Sequence, residues 1–318
     1  MFTKSLAQAL TPHGIHVKAV SSVAAHAAKA GSRATVLIQR DASAAKILKR
    51  LAYGAKVIRE GAMSDSSDLV KRQFGAHARD YATSAVHAQG ESLARLVELT
   101  QPRPDWLVLD VSTGAGHTAF AFAPRVARVI ATDLTPQMLD AARTLAGERH
   151  ITNVEFKTAD VHALPFDGGT FDLVTNRIAL HHYPDARKAV GEMARVCKHG
   201  GIVALVDNVV PPDTEMPSYI NHFEKLRDPS HHWAYPQVRL EAYFADATLK
   251  VEHSESRKKE MEFESWAKRM GANEETRAKL RRILLEAPQA VRECLTPRVD
   301  GDRLFFALTE AIIIGRRE

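Results

Sequence analysis

Three carboxylates recur in the middle of this chain, each closing a short apolar run. Asp110 follows Trp106–Leu109, Asp133 follows Val126–Ala131, and Asp160 follows Val154–Thr158. Such runs fill buried parallel strands, and in open α/β sheets ligands bind beyond the carboxyl ends of the strands. Between the first two acids lies a turn with little side chain, formed by Ser112, Gly114 and Gly116, where a ligand can approach the backbone closely. Two adjacent histidines, His181 and His182, follow a further apolar run, Phe171–Thr175. Imidazole titrates near neutrality, so either is a candidate to take a proton from a bound reactant. The alternatives are that one stacks on a substrate wall and the other caps a helix starting near Pro184. A metal is not expected, because adjacent side chains diverge and no carboxylate–histidine spacing supports one.

Two cofactor classes use a strand, glycine turn and helix of this kind. A dinucleotide site wants G-x-G-x-x-G with the pyrophosphate on the helix N-terminus. Here Gly114-x-Gly116 is followed by Ala119 at the third position, and Asp110 would repel a pyrophosphate. S-adenosylmethionine fits the acids better. Its ammonium suits Asp110, directly or through water, its ribose hydroxyls suit Asp133, and its adenine amine suits Asp160.

Residues 72–210 resemble a class I S-adenosylmethionine-dependent methyltransferase, of the small-molecule branch that includes the ubiquinone/menaquinone C-methyltransferases. The likeness rests on LDVSTGAGHTA (109–119), ATDLTPQMLDAAR (131–143), VEFKTADVHALPFDGGTFDLV (154–174), RIALHHYPD (177–185) and EMARVCKHGG (192–201), in the family's order and spacing. It extends the expected domain over 63–318. The family usually has Gly where Ser112 stands, which a serine satisfies if its φ is negative. The resemblance implies further cofactor contacts at Tyr81 (with Phe74 less directly), Leu134, Met138, the amide of Val161, and Asn176. Plain core packing is the competing reading of the aromatics and of Met138, and a turn cap that of Asp160.

The expected fold is α/β, a Rossmann-like seven-stranded, mostly parallel sheet with helices on both faces. The family inserts an antiparallel last strand, Asp302–Gly315, between the fifth and sixth, Ile202–Asn208 and Leu249–Arg257. A turn at His199–Gly201 should precede the fifth. Thr135 is placed to cap a helix at Pro136–Ala146. Lead-in helices are expected at Lys71–Tyr81 and Ser84–Leu99, after a polar linker at 64–70. Residues 211–236 read as a lid with a helix at Met216–Arg227. Arg177, Tyr219, His222, Phe223, His231 and Trp233, with Arg227 and His232, are candidate acceptor-pocket residues. Three aromatics beside three histidines suggest an aromatic, quinone-like or partly apolar acceptor. The remaining helices, at 263–294, are expected to cover the pocket mouth or form a homodimer face.

Charge is uneven. Residues 1–64 hold ten Lys/Arg against two Asp/Glu, and the rest holds 33 against 36. The catalytic-looking part is therefore not basic, which argues against a nucleic-acid substrate. Two cysteines are too few for a disulfide framework, and no apolar run is long enough for a membrane span, so a cytoplasmic protein is expected. Residues 1–62 read as a small α/β appendage, with helices at Ser21–Ala30 and Ala42–Leu51 and strands at Ala34–Gln39 and Lys56–Ile58. Residues 20–61 resemble a fragment of a threonine synthase/dehydratase-type pyridoxal-phosphate enzyme. The motif and the Schiff-base lysine of that fold are missing, so no such activity is carried over. A transit peptide would be basic and acid-poor too, but the regular pattern favours a fused or mis-started fragment, with Met63 a natural start. Methyl transfer to a small molecule leads. A dinucleotide-dependent oxidoreductase and a non-catalytic S-adenosylmethionine-binding protein are the alternatives.

Overall fold

The computed structural model describes residues 35–38, 56–59, 67–76 and 90–318, apart from 213–214. The chain divides into two units, Met1–Ser67 and Asp68–Glu318. In the first, β1 (Thr35–Ile38) and β2 (Lys56–Arg59) pair in parallel, with Thr35 opposite Lys56. The two helices expected at Ser21–Ala30 and Ala42–Leu51 lie outside the described residues.

The second unit opens with helix α1 (67–76), so the linker expected at 64–70 is already helical from 67. Tyr81 lies outside the described residues. Helix α2 (Glu91–Thr100) starts later than expected, because Gly90 at its N-cap has φ −59° and ψ 135° and breaks the helical run. Leu93, Leu96 and Val97 form its buried face.

Five parallel-paired strands follow: β3 (Leu107–Val111), β4 (Arg128–Asp133), β5 (Val154–Thr158), β6 (Phe171–Arg177) and β7 (Cys197–Val209). Helices α3 (His117–Phe122), α4 (Pro136–Glu148) and α5 (Ala186–Val196) connect them. The lid helix α6 (Met216–Arg227) and then α7 (Gln237–Asp246) lead to β8 (Leu249–Glu262). Helices α8 (Phe263–Lys268), α9 (Glu274–Leu285) and α10 (Gln289–Leu295) precede β9 (Arg298–Asp300) and β10 (Arg303–Arg317).

The sheet order is β5-β4-β3-β6-β7-β10-β8, with β9 on β10. The last strand thus lies between β7 and β8, antiparallel to both. The sheet has eight strands, not seven. The added strand, β9, is a three-residue exposed hairpin partner of Arg303–Phe305 that carries no apolar run to betray it. The expected turn at His199–Gly201 is instead an irregularity inside β7, where the partner register jumps from Cys197 to Ile202.

Alternation along β10 shows how the layers form. Ala311 and Ile313 face the cluster built with α5 and α7, whereas Ile312 and Ile314 face the cluster built with α2, α3 and α4. A third cluster joins α6, α8, α9 and α10 to the ends of β8 and β10. Among the described residues no helix is long and apolar enough to cross a membrane.

Candidate active site

The turn 112–116 follows β3 and meets the carboxyl ends of β4 and β6. The amide of Thr113 donates to the Thr132 carbonyl, tying the turn to β4 (2.8 Å). Gly116 has φ +88°, and a Cβ there would stand 2.5 Å from the Phe120 ring, so only glycine fits. Gly114, at φ +57°, has the Met138 methyl against it, and Met138 is buried. Leu134 is half-buried, and Val161 is buried.

Ser112 does not adopt the negative φ expected of it. It sits at φ +53°, in the left-handed region that glycine enters without strain. A polar brace holds it there. Ser112 Oγ lies 2.6 Å from the Tyr183 hydroxyl, and Asn176 Nδ2 donates to that hydroxyl (2.7 Å) and to the Val111 carbonyl (2.9 Å). Both donor bonds fix the amide's orientation, which leaves Asn176 Oδ1 buried with no partner.

The three acids take different positions. Asp110 is 1% exposed and lies beneath the turn. It accepts from Thr113 Oγ1 (2.6 Å), Thr175 Oγ1 (2.8 Å) and the Ala119 amide, so it braces β3 against β6 and α3 before it serves any ligand. Burial pushes its carboxyl up to about 6, against those hydrogen bonds. Asp133 accepts from the amides of Gly114 and Thr135 (2.9 Å each), one bond per oxygen. Burial raises its pKa as well. Thr135 stands at the N-cap of α4, but its side chain makes no capping bond. Asp160 accepts from the amide and Nδ1 of His162, capping the short turn Val161–Ala163. Partial burial would raise its pKa, but the bonds from His162 outweigh that and lower it.

On the far side of Tyr183 is a buried histidine network. His181 Nδ1 lies 2.5 Å from Asp207 Oδ1, and its amide donates to Asp207 Oδ2 (3.1 Å). Burial alone would lower its pKa; the Asp207 charge outweighs burial and raises it. The His182 ring packs 4.2 Å from that of His181 and edge-on against Phe74. Burial and the neighbouring His181 push it down to about 4. His231 Nε2 contacts Asn221 Oδ1 (2.7 Å), and its ring is 5.3 Å from that of His181. The lid is docked here: the amides of His232 and Trp233 both donate to the His181 carbonyl (2.9 Å each). Glu224, Arg227, Asp228 and Ser230 complete the cluster, with Ser230 Oγ donating to Asp228 (2.5 Å).

The remaining pocket candidates fare differently. Phe223 is fully buried in the third core cluster, stacked on Trp266 at 4.8 Å, and is core rather than pocket wall. Tyr219 turns to α9, donating to the Ile283 carbonyl (2.7 Å). His222 and His232 are exposed, and Trp233 is half-buried. Arg177 points to the other face of the sheet, donating to Thr118 Oγ1 (3.1 Å), with Glu310 and Asp110 nearby. Sequence reasoning missed Asp207, Asn221, Glu224, Asp228 and Tyr183. Asp207 had a signal, an acid closing an apolar strand as Asp110 does. Asn221, Glu224 and Asp228 had none without the lid's placement, and Tyr183 none without its contacts to Ser112 and Asn176.

A family described as a methyltransferase domain matches residues 109–205. The uncharacterized methyltransferase YcgJ of Bacillus subtilis is 34% identical over 244 residues, 76% of this chain and 96% of its own. The YcgJ crystal structure matches with a TM-score of 0.69, covering 71% of this chain and 98% of that one. A demethylmenaquinone methyltransferase of Thermus thermophilus is 37% identical over 120 residues, 37% of this chain and 54% of its own length. The chain belongs to the class I S-adenosylmethionine-dependent methyltransferases, and S-adenosylmethionine is its cofactor. That membership sets aside the dinucleotide alternative. The comparisons lend no support to the pyridoxal-phosphate likeness of residues 20–61.

The residues present fit this cofactor. Each Asp133 oxygen keeps a lone pair for a ribose hydroxyl, Asp160 is 41% exposed beside the Val161 amide, and the orphaned Asn176 Oδ1 can accept from an ammonium.

Proposed function

We propose that this protein methylates a small molecule bound under the 211–236 lid, at an atom that gives up a proton to His181. The cofactor, when bound, supplies a methyl carbon activated by its sulfonium. Asp133, Asp160, Val161 and Asn176 would hold it, while the glycine turn lets it approach the backbone.

The observation that carries the proposal is the buried His181–Asp207 pair at 2.5 Å. Asp207 fixes the proton on Nδ1, so the neutral ring presents Nε2 as the basic atom. The acceptor's O–H or acidic C–H passes its proton to Nε2 as the new bond to carbon forms. Positioning and exclusion of water supply the rest of the rate. The docked lid serves both, through the two amides on the His181 carbonyl. The partial match to a demethylmenaquinone methyltransferase supports an aromatic or quinone-like acceptor.

Residues 63–318 are the catalytic unit in this reading, and 1–62 are dispensable. Incubation with S-adenosylmethionine and a metabolite extract, read as S-adenosylhomocysteine release, tests the activity. Release by the wild type and its loss in His181→Gln, with cofactor affinity unchanged, is the expected result. Equal release by both proteins refutes the role of His181.

A further inference from the structure

The His181–Asp207 pair accounts for one reacting group on the acceptor, but the network holds a second atom with no employment inside the protein. His231 is 2% exposed, and its Nδ1 is buried without a hydrogen-bond partner. The ring's protonation follows from its neighbour. Asn221 Nδ2 donates to the carbonyls of Pro217 (2.8 Å) and Ala234 (3.1 Å), so the atom facing His231 is the amide oxygen. That oxygen also accepts from the Ala234 amide (2.6 Å). It can only accept from His231 as well, so the imidazole hydrogen sits on Nε2 and Nδ1 carries a bare lone pair. Burial and the neighbouring His181 lower the His231 pKa and keep the ring neutral. His181, its hydrogen held on Nδ1 by Asp207, likewise presents a bare Nε2 when neutral. The two ring centroids are 5.3 Å apart, and each imidazole has one nitrogen committed to an oxygen acceptor and a second nitrogen able to accept when its ring is neutral.

We propose that His231 is a second acceptor-binding residue, taking an O–H or N–H of the substrate on Nδ1, so that the methyl acceptor carries two hydrogen-bond donors. This rests on the reading of His181 as the base. A dihydroxy-aromatic molecule has the required pattern. One hydroxyl side is deprotonated at His181, and the other stays protonated on His231. Asn221 holds the ring through Nε2, and Lys225 Nζ anchors the lid segment carrying it by donating to the His231 carbonyl (2.5 Å).

The test uses the full chain saturated with S-adenosylhomocysteine and two probes, hydroquinone with two donors and 4-methoxyphenol with one. Calorimetry should show hydroquinone binding about tenfold tighter, the worth of one hydrogen bond to a buried group. In His231→Phe that preference should fall below about twofold, with 4-methoxyphenol affinity kept. In wild type labelled with 15N-histidine, the His231 Nδ1 resonance should move with hydroquinone and stay with 4-methoxyphenol, a readout that needs no variant. Equal binding of the probes, binding of neither, or an unmoved Nδ1 resonance overturns the proposal. Loss of turnover in His181→Gln with the probe preference intact would leave His231's role standing, and an unaffected turnover there would strike only the base.

Discussion

Replacing Tyr183 with Phe removes a hydroxyl that touches both Ser112 Oγ (2.6 Å) and Asn176 Nδ2 (2.7 Å). The ring is buried, so neither partner gains water in exchange. Losing a buried bond of this kind costs about 1–3 kcal/mol, and we expect Tyr183→Phe to fall near 2 kcal/mol. Ser112→Gly loses one of the same bonds, about 1 kcal/mol, but relieves a left-handed serine at φ +53°, worth about 1–2 kcal/mol. It should be close to neutral. In the double variant no hydroxyl remains at position 112 to lose its partner, so the added cost of Tyr183→Phe should shrink to about 1 kcal/mol. The pair therefore couples by about 1 kcal/mol, above the few tenths that independent sites show. Urea unfolding of the four proteins measures it, with cofactor affinity as a parallel reading of the turn's shape. Strict additivity would refute the view that the brace compensates for strain at Ser112.

The His181 pair sets a pH dependence of definite sign. With the folded pKa raised above 6.5 by Asp207, turnover should rise as pH climbs through that higher value, while the pair's contribution to stability, complete below 6.5, is lost over the same range. Asp207→Asn removes the strongest influences that oppose burial, although the Glu224 and Asp228 charges remain, and should move the turnover limb to lower pH, as read by S-adenosylhomocysteine release against pH. Phe223→Ala should cost about 3–5 kcal/mol of unfolding free energy, because Phe223 fills the core between Trp266 and Phe306. Its cofactor affinity should be unchanged. A chain starting at Met63 should bind S-adenosylmethionine as the full chain does, and an unfolded product would show that residues 1–62 are needed.

The cofactor half of the sheet was open to sequence reading because its rules are local. A strand ending in an acid, a turn of small residues and a helix opening with Pro136 each announce themselves within a few positions, and β5 and α6 fall on their expected bounds. The antiparallel insertion of β10 came from family likeness and not from periodicity. The acceptor side was hidden for a physical reason. Asp207 and His181 are 26 residues apart in sequence, and His231 reaches them only because the lid folds back onto the His181 carbonyl. Type and spacing cannot separate Phe223, which packs inward, from His231 eight positions on, which joins the site. The family's usual glycine hinted at the positive φ of Ser112, but the tyrosine that supports a serine there lies 71 residues away and could not be read.

The central claim is that the His181–Asp207 pair takes a proton from an acceptor methylated by S-adenosylmethionine. The most direct measurement is S-adenosylhomocysteine release from a metabolite extract by wild type and His181→Gln, with cofactor binding followed by calorimetry. The account predicts a fall of about a hundredfold or more in release with cofactor affinity unchanged. Undiminished release by the variant would contradict it.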